Sequence, residues 1–133
     1  MANAKMGASH GWNGNYVESA TASFSLAPGD SGKTFILKDA AVTVTLPSLS
    51  DINAGYSVTL ISGDDSEHIL NGGASKIYGY AVNETSTTDA TQVTQLAAAS
   101  SATLGTAAIG DKFDIISDGT NWYVYILAND AVS

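Results

Sequence analysis

The stretch KFDIISDGTNWYVYIL, residues 112–127, decides the fold. Two apolar runs flank Asp118, Gly119, Thr120 and Asn121, which is the composition of a hairpin turn. A four-residue loop, or a tighter Asp118-Gly119 turn, keeps the register parity the same. Phe113, Ile115 and Ser117 then share one face with Trp122, Val124 and Ile126. Lys112, Asp114 and Ile116 share the other with Tyr123, Tyr125 and Leu127. The first is a core face. The second carries more apolar surface than soluble monomers usually leave bare, and tyrosine suits an interface with a wet edge. Either a second sheet of the same chain or a second copy of the chain must cover it. Residues 75–82, SKIYGYAV, repeat the two-sided pattern, with Ile77 set against Tyr78 and Tyr80 around Gly79. Two such strands favour a second copy. Tyr123, Tyr125 and Leu127 are the expected oligomer interface, with Tyr78 and Tyr80 behind them.

Outward from the hairpin the chain reads as strands and turns. Ser, Thr, Gly and Ala dominate, and Val, Ile, Tyr and Phe come in short groups, which is all-β composition. SATASFSLA (19–27) would place Ala20, Ala22, Phe24 and Leu26 on one face. TFILK (34–38) follows a PGDSGK turn, and AVTVTLP (41–47) points Val42, Val44 and Leu46 inward until Pro47 ends the ladder. YSVTLIS (56–62) is a strand, and HIL after the GDDSE turn is a short return. Residues 83–92 are a polar surface loop, and 93–108 read as two short strands. Eight to ten strands with turns every 8–12 residues indicate a jelly-roll-like β-sandwich. Residues 16–133 form that domain, with Trp122, Phe113, Val124, Ile126, Val44, Leu46, Val58 and Leu60 in its core. Residues 1–15, rich in Gly and Asn without periodicity, form an irregular arm. GYSVTLIS (55–62) and GDKFDIIS (110–117) echo one another, as two equivalent strands of a two-sheet fold would. No solenoid period is present.

At 133 residues the chain can bury a core without staples. It has no cysteine, so disulfides and thiolate metal sites are excluded. Five lysines, no arginine and a net charge of −8 speak against nucleic acid as a partner. No segment reads as a secretory signal or a membrane span, so synthesis in the cytoplasm is expected. The Asn83-Glu84-Thr85 sequon is therefore read as chance.

Chemistry has few candidates. His10 and His68 lack metal-ligand spacing. Asp64, Asp65, Glu67 and His68 could gather around a divalent cation, yet an acidic turn tip is more often simply solvated. Asp114 and Asp118 could imitate a carboxylate pair, but Asp118 is better used bonding its own turn. The NGGAS stretch (71–75) is no phosphate loop, and no nucleophile elbow is present. Neither catalysis nor a cofactor is expected.

The skeleton from Val42 to Val124 resembles a module of bacteriophage virion proteins. VTVTLP, then GYSVTLIS, then GDKFDIISDGTNWYV carry the likeness. The resemblance is to head decoration (cement) proteins and to β-domains of tail fibres and spikes, often trimeric. It implies a homotrimer that binds the outer surface of a phage head, contacts the major capsid protein and bridges capsomers. The alternative is a fibre or spike domain that binds a host-surface glycan. A chain this small that begins with Met reads as a complete gene, which favours decoration. Lys5, His10, Trp12 and Tyr16 of the arm region are the expected capsid contacts, with Trp12 the principal anchor.

Overall fold

Alternation of apolar and polar side chains builds two sheets in a computed structural model that describes residues 16–74, 76–83, 92–129 and 132. Seven strands form the larger sheet: β1 (Val17–Ala20), β3 (Thr34–Leu37), β5 (Ser57–Ser62), β7 (Ile77–Asn83), β8 (Val93–Ala99), β10 (Lys112–Ser117) and β11 (Trp122–Ala128). Four form the smaller: β2 (Phe24–Ser25), β4 (Val42–Thr45), β6 (His68–Asn71) and β9 (Ser101–Leu104). The all-β expectation holds, and 93–108 does contain two strands.

Side chains from both sheets meet in one hydrophobic cluster. Val44, Leu46 and Leu70 of the smaller side pack with Leu60, Phe113, Val124 and Ile126 of the larger. All eight expected core residues are buried. Trp122 is 1% exposed and meets Tyr56 edge-on, with ring centroids 5.6 Å apart at 82°. The Tyr56 hydroxyl donates to the Ala27 carbonyl at 2.8 Å. Burial pushes its pKa up to about 12, with the Asp30 carboxylate adding to the effect.

The connectivity is not that of a jelly roll, whose strands pair antiparallel. From β1 to β6 the chain alternates between the sheets, so β1, β3 and β5 stack in parallel, as do β2, β4 and β6. Three coils are wound this way. They differ in length: Val17 pairs with Thr34, 17 residues on, and Thr34 with Thr59, 25 residues on. Unequal coils leave no period in the sequence.

The stretch 19–27 is likewise two strands rather than one. Small residues at 21–23 let the chain cross from the larger sheet to the smaller. The Ser23 hydroxyl there accepts from the Thr43 amide at 2.9 Å and ties β2 beside β4. Ala22 is consequently exposed, not inward.

The internal echo has a specific geometry. β5 and β10 are antiparallel neighbours in one sheet, not equivalent strands of two. Gly55 N donates to Ser117 O at 2.7 Å and Gly110 N to Ser62 O at 2.8 Å. Ser117 N donates to Tyr56 O at 2.9 Å and Ser62 N to Asp111 O at 2.7 Å. Each bond maps onto its counterpart when the two segments exchange, so the echo is a local pseudo-two-fold.

Candidate interaction surface

The hairpin sits as read: Phe113 pairs with Ile126, Ile115 with Val124 and Ser117 with Trp122. Residues 118–121 form its loop. Asp118 Oδ1 accepts from the amides of Thr120 and Asn121, both at 2.8 Å, and Oδ2 accepts from the Tyr123 hydroxyl at 3.0 Å. The Asn121 and Thr120 amides hold this carboxyl below its ordinary range, outweighing slight desolvation. Asp118 is thus a turn residue, engaged with its own loop.

Parallel pairing of β11 with β7 brings the expected interface residues together. Tyr123 stands beside Tyr78, Tyr125 beside Tyr80 and Leu127 beside Val82. All six lie on the outer face of the larger sheet, away from the smaller one. Tyr125, Leu127 and Tyr80 are 52%, 55% and 47% exposed, while Tyr123 and Tyr78 are half-buried. Ile116, Val82 and Val93 extend the exposed apolar surface. Of these, Val82 and Val93 escaped the sequence reading. Val82 shares the parity of Tyr78 and Tyr80, a signal that could have found it. Val93 opens the first of the two strands read in 93–108, where a polar and Ala-rich sequence (TQLAAA follows it) gives little apolar alternation to mark its face.

Gly79 makes this alignment possible. Its φ is +145°, and a Cβ built there would lie 1.8 Å from the Val124 carbonyl oxygen. Glycine is required for so close a backbone approach. The register between β7 and β8 also shifts between Ile77 and Gly79, opposite Ala98 at φ 54°.

A groove of about 270 Å³ opens on this face, lined by Tyr80, Val82, Lys112, Asp114, Tyr125 and Leu127 among others. Lys112 and Asp114 form an ion pair at 3.3 Å, and Thr59 Oγ1 donates to Asp114 Oδ1 at 3.3 Å. Both charged side chains are about half-exposed, so the pair adds little stability.

The acidic turn is organised differently. Asp64 accepts from the Asp39 amide at 2.6 Å, the Ser66 amide at 3.0 Å and His68 Nε2 at 3.1 Å. Burial raises its pKa, but the amides of Ser66 and Asp39 outweigh that and hold it below the ordinary range. His68 is buried, and its Nδ1 has no hydrogen-bond partner. Among the described residues no group of three or more His, Asp or Glu could hold a metal ion. Asp64 bridges two turns of the winding, from β3 to β4 and from β5 to β6.

Of the expected capsid contacts, Lys5, His10 and Trp12 lie outside the described residues, as does most of the 83–92 loop. Tyr16 is exposed immediately before β1, and its carbonyl accepts from the Thr34 amide at 2.7 Å. No helix among the described residues is long and apolar enough to cross a membrane. No known protein-family model matches this sequence, and no curated protein matches it.

Proposed function

We propose that the chain is a structural protein of a bacteriophage virion, a closed homotrimer that decorates the outer surface of the head. One observation carries the self-association: the exposed outer face bearing Tyr80, Val82, Ile116, Tyr125 and Leu127. An apolar surface of this kind, rimmed by Lys112 and Asp114, is what interfaces between chains are made of. The number three and the place on a head come from the resemblance of residues 42–124 to decoration proteins. A net charge of −8 suits a surface turned away from packaged DNA. Bound across capsomer boundaries, to the major capsid protein, such a trimer stabilises the shell by mass action repeated over many sites. No catalytic role is proposed.

The test mixes the purified protein with phage heads lacking it and follows co-sedimentation, with light scattering on the free protein. Binding to heads by a species of three times 13.6 kDa is expected. A monomer that leaves heads unbound overturns the reading.

A second reading has its own support. Tyr80 and Tyr125 flank a groove that also holds a carboxylate and an ammonium, and aromatic faces beside charged hydrogen-bonding groups suit sugar rings. A tail-fibre or spike domain would use this face on a host-surface glycan. Binding to host cells and not to heads, lost in Tyr125→Ala, would select it.

A further inference from the structure

We propose that copies of this chain join edge to edge, with β8 of one copy adding to β1 of the next in an antiparallel ladder. This rests on the self-association proposed above and names the strands that carry it.

The larger sheet has the order β1-β3-β5-β10-β11-β7-β8, so β1 and β8 are its two outer strands. Among the described residues neither has a strand on its far side. Such edges present rows of backbone donors and acceptors, and proteins that stay monomeric blunt them with charges, prolines or bulges. Here the protection is partial. A bulge at Ala98 disturbs the far end of β8, but Val93 to Leu96 pair regularly with β7. No charged residue occurs between Asp89 and Asp111. The single charge of β1, Glu18, is held by Lys33 at 2.6 Å. Two copies of a chain with net charge −8 can therefore meet along this seam without opposing like charges.

Strand direction selects the pairing. β1, β3, β5, β11 and β7 run one way, while β10 and β8 run the other. A rotation axis parallel to the strands preserves these directions in every copy. β8 then meets the next β1 antiparallel, with the outer faces on the same side. The side chains agree with this. Val93 and Gln95 point outward beside Val82 and Tyr80, and Val17 and Ser19 point outward beside Thr34 and Ile36. Val93 is 48% exposed and Val17 64%. Such a rotation keeps the rows level, so the row Leu127, Val82, Val93 meets the neighbour's Ser19. The neighbour's Val17 lies level with Gln95 and diagonally beside Val93. Pairing β8 with β8 about a two-fold would also be antiparallel, but it leaves Val17, the more exposed valine, bare. Main-chain addition of this kind is an established recognition mode, and head-to-tail contacts close into rings.

The chain has no cysteine, so an introduced one is unique. Val17→Cys and Val93→Cys would be prepared singly, and mixed, then treated with a short bismaleimide. Val93→Cys mixed with Ser19→Cys, and Gln95→Cys mixed with Val17→Cys, cover the register shifted by two residues from the Val17–Val93 pairing. All four positions are exposed, so folding is expected to be unchanged by circular dichroism. Cross-linked chains are expected in the mixtures and not in any variant alone. Cross-linking of Val93→Cys with itself overturns the proposal in favour of a two-fold. If light scattering shows an oligomer but no mixture cross-links, the edge pairing is wrong and the association stands. If it shows a monomer, both fail.

Discussion

Substituting Gly79 by alanine tests the claim that a close backbone approach holds β7 against β11. The added Cβ would sit 1.8 Å from the Val124 carbonyl oxygen, where ordinary contact needs well over 3 Å. The backbone at φ +145° is also one that side chains rarely adopt, a strain of about 1–3 kcal/mol. Moving β7 by more than 1 Å to relieve the clash would break ladder bonds beside Val124, at about 1 kcal/mol each for two or so bonds. The sum is about 3–5 kcal/mol, a large part of the ~5–15 kcal/mol that holds a typical domain folded. Two other glycines separate the contributions. Gly73 has φ +76° with nothing within 4 Å of its Cβ position, so alanine there should cost only the backbone strain, about 1 kcal/mol. Gly105 has neither feature, and alanine there should change stability by less than about 0.5 kcal/mol. Urea titration followed by Trp fluorescence measures all three. The order Gly79, Gly73, Gly105 is required. A loss below about 1 kcal/mol for Gly79→Ala, with an unchanged m-value, would refute the close approach.

Other outcomes follow from the same geometry. Trp122→Ala should cost about 3–5 kcal/mol in the same urea assay, because the indole is fully buried against Tyr56. Tyr56 has a raised folded pKa, so its contribution is complete below the unfolded value of 10 and disappears as pH rises from 10 to about 12. Tyr56→Phe, which cannot ionise, should flatten that alkaline loss in thermal melts taken between pH 9 and 12. Asp64 and Asp118 have depressed folded pKa values, so their contribution is present above 3.8 and is lost as pH falls below it. Asp64→Asn with Asp118→Asn should lower the melting temperature at pH 7 and reduce its fall between pH 4 and 2. Tyr125→Ser with Leu127→Ser should leave that temperature within a few degrees in the isolated chain while reducing the mass seen by light scattering, since both side chains lie outside the core.

The C-terminal hairpin was legible because strand alternation is a local signal. Phe113, Ile115, Trp122, Val124 and Ile126 fall on one face by parity alone, and no long-range information is needed. Parity also put Tyr125, Tyr80 and Leu127 on the opposite face. The winding was not legible. A parallel ladder such as β3 on β5 joins residues 25 positions apart through a strand in the other sheet, and nothing near Thr34 or Thr59 marks them as partners. Residues 19–27 misled for a related reason. Ala20, Ala22, Phe24 and Leu26 alternate well, but alternation cannot show that the chain changes sheets at Thr21, where every side chain is small. Pairing was equally hidden in the echo of 55–62 and 110–117. The shared pattern is visible in sequence, whereas the antiparallel exchange of Gly55, Ser62, Gly110 and Ser117 bonds appears only in three dimensions.

The question posed by the hairpin, what covers its second face, turns on how unequal the two sheets are. Four strands stand against seven, and they pack on the inner face alone. The inner residues of β10 and β11 are buried by that smaller sheet. The outer residues Ile116, Tyr125 and Leu127 gain nothing from it and remain near half exposed. Polar residues at these positions would satisfy the strand geometry equally well, as Thr59 and Asp114 do in the same face. Packing of the two sheets among the described residues therefore does not account for the apolar side chains at 82, 93, 116, 125 and 127. The proposed association would account for them, because the hydrophobic term is collected only when that surface leaves water. The surface also runs to β8, the sheet's uncharged edge, so face and edge can be covered by one neighbour.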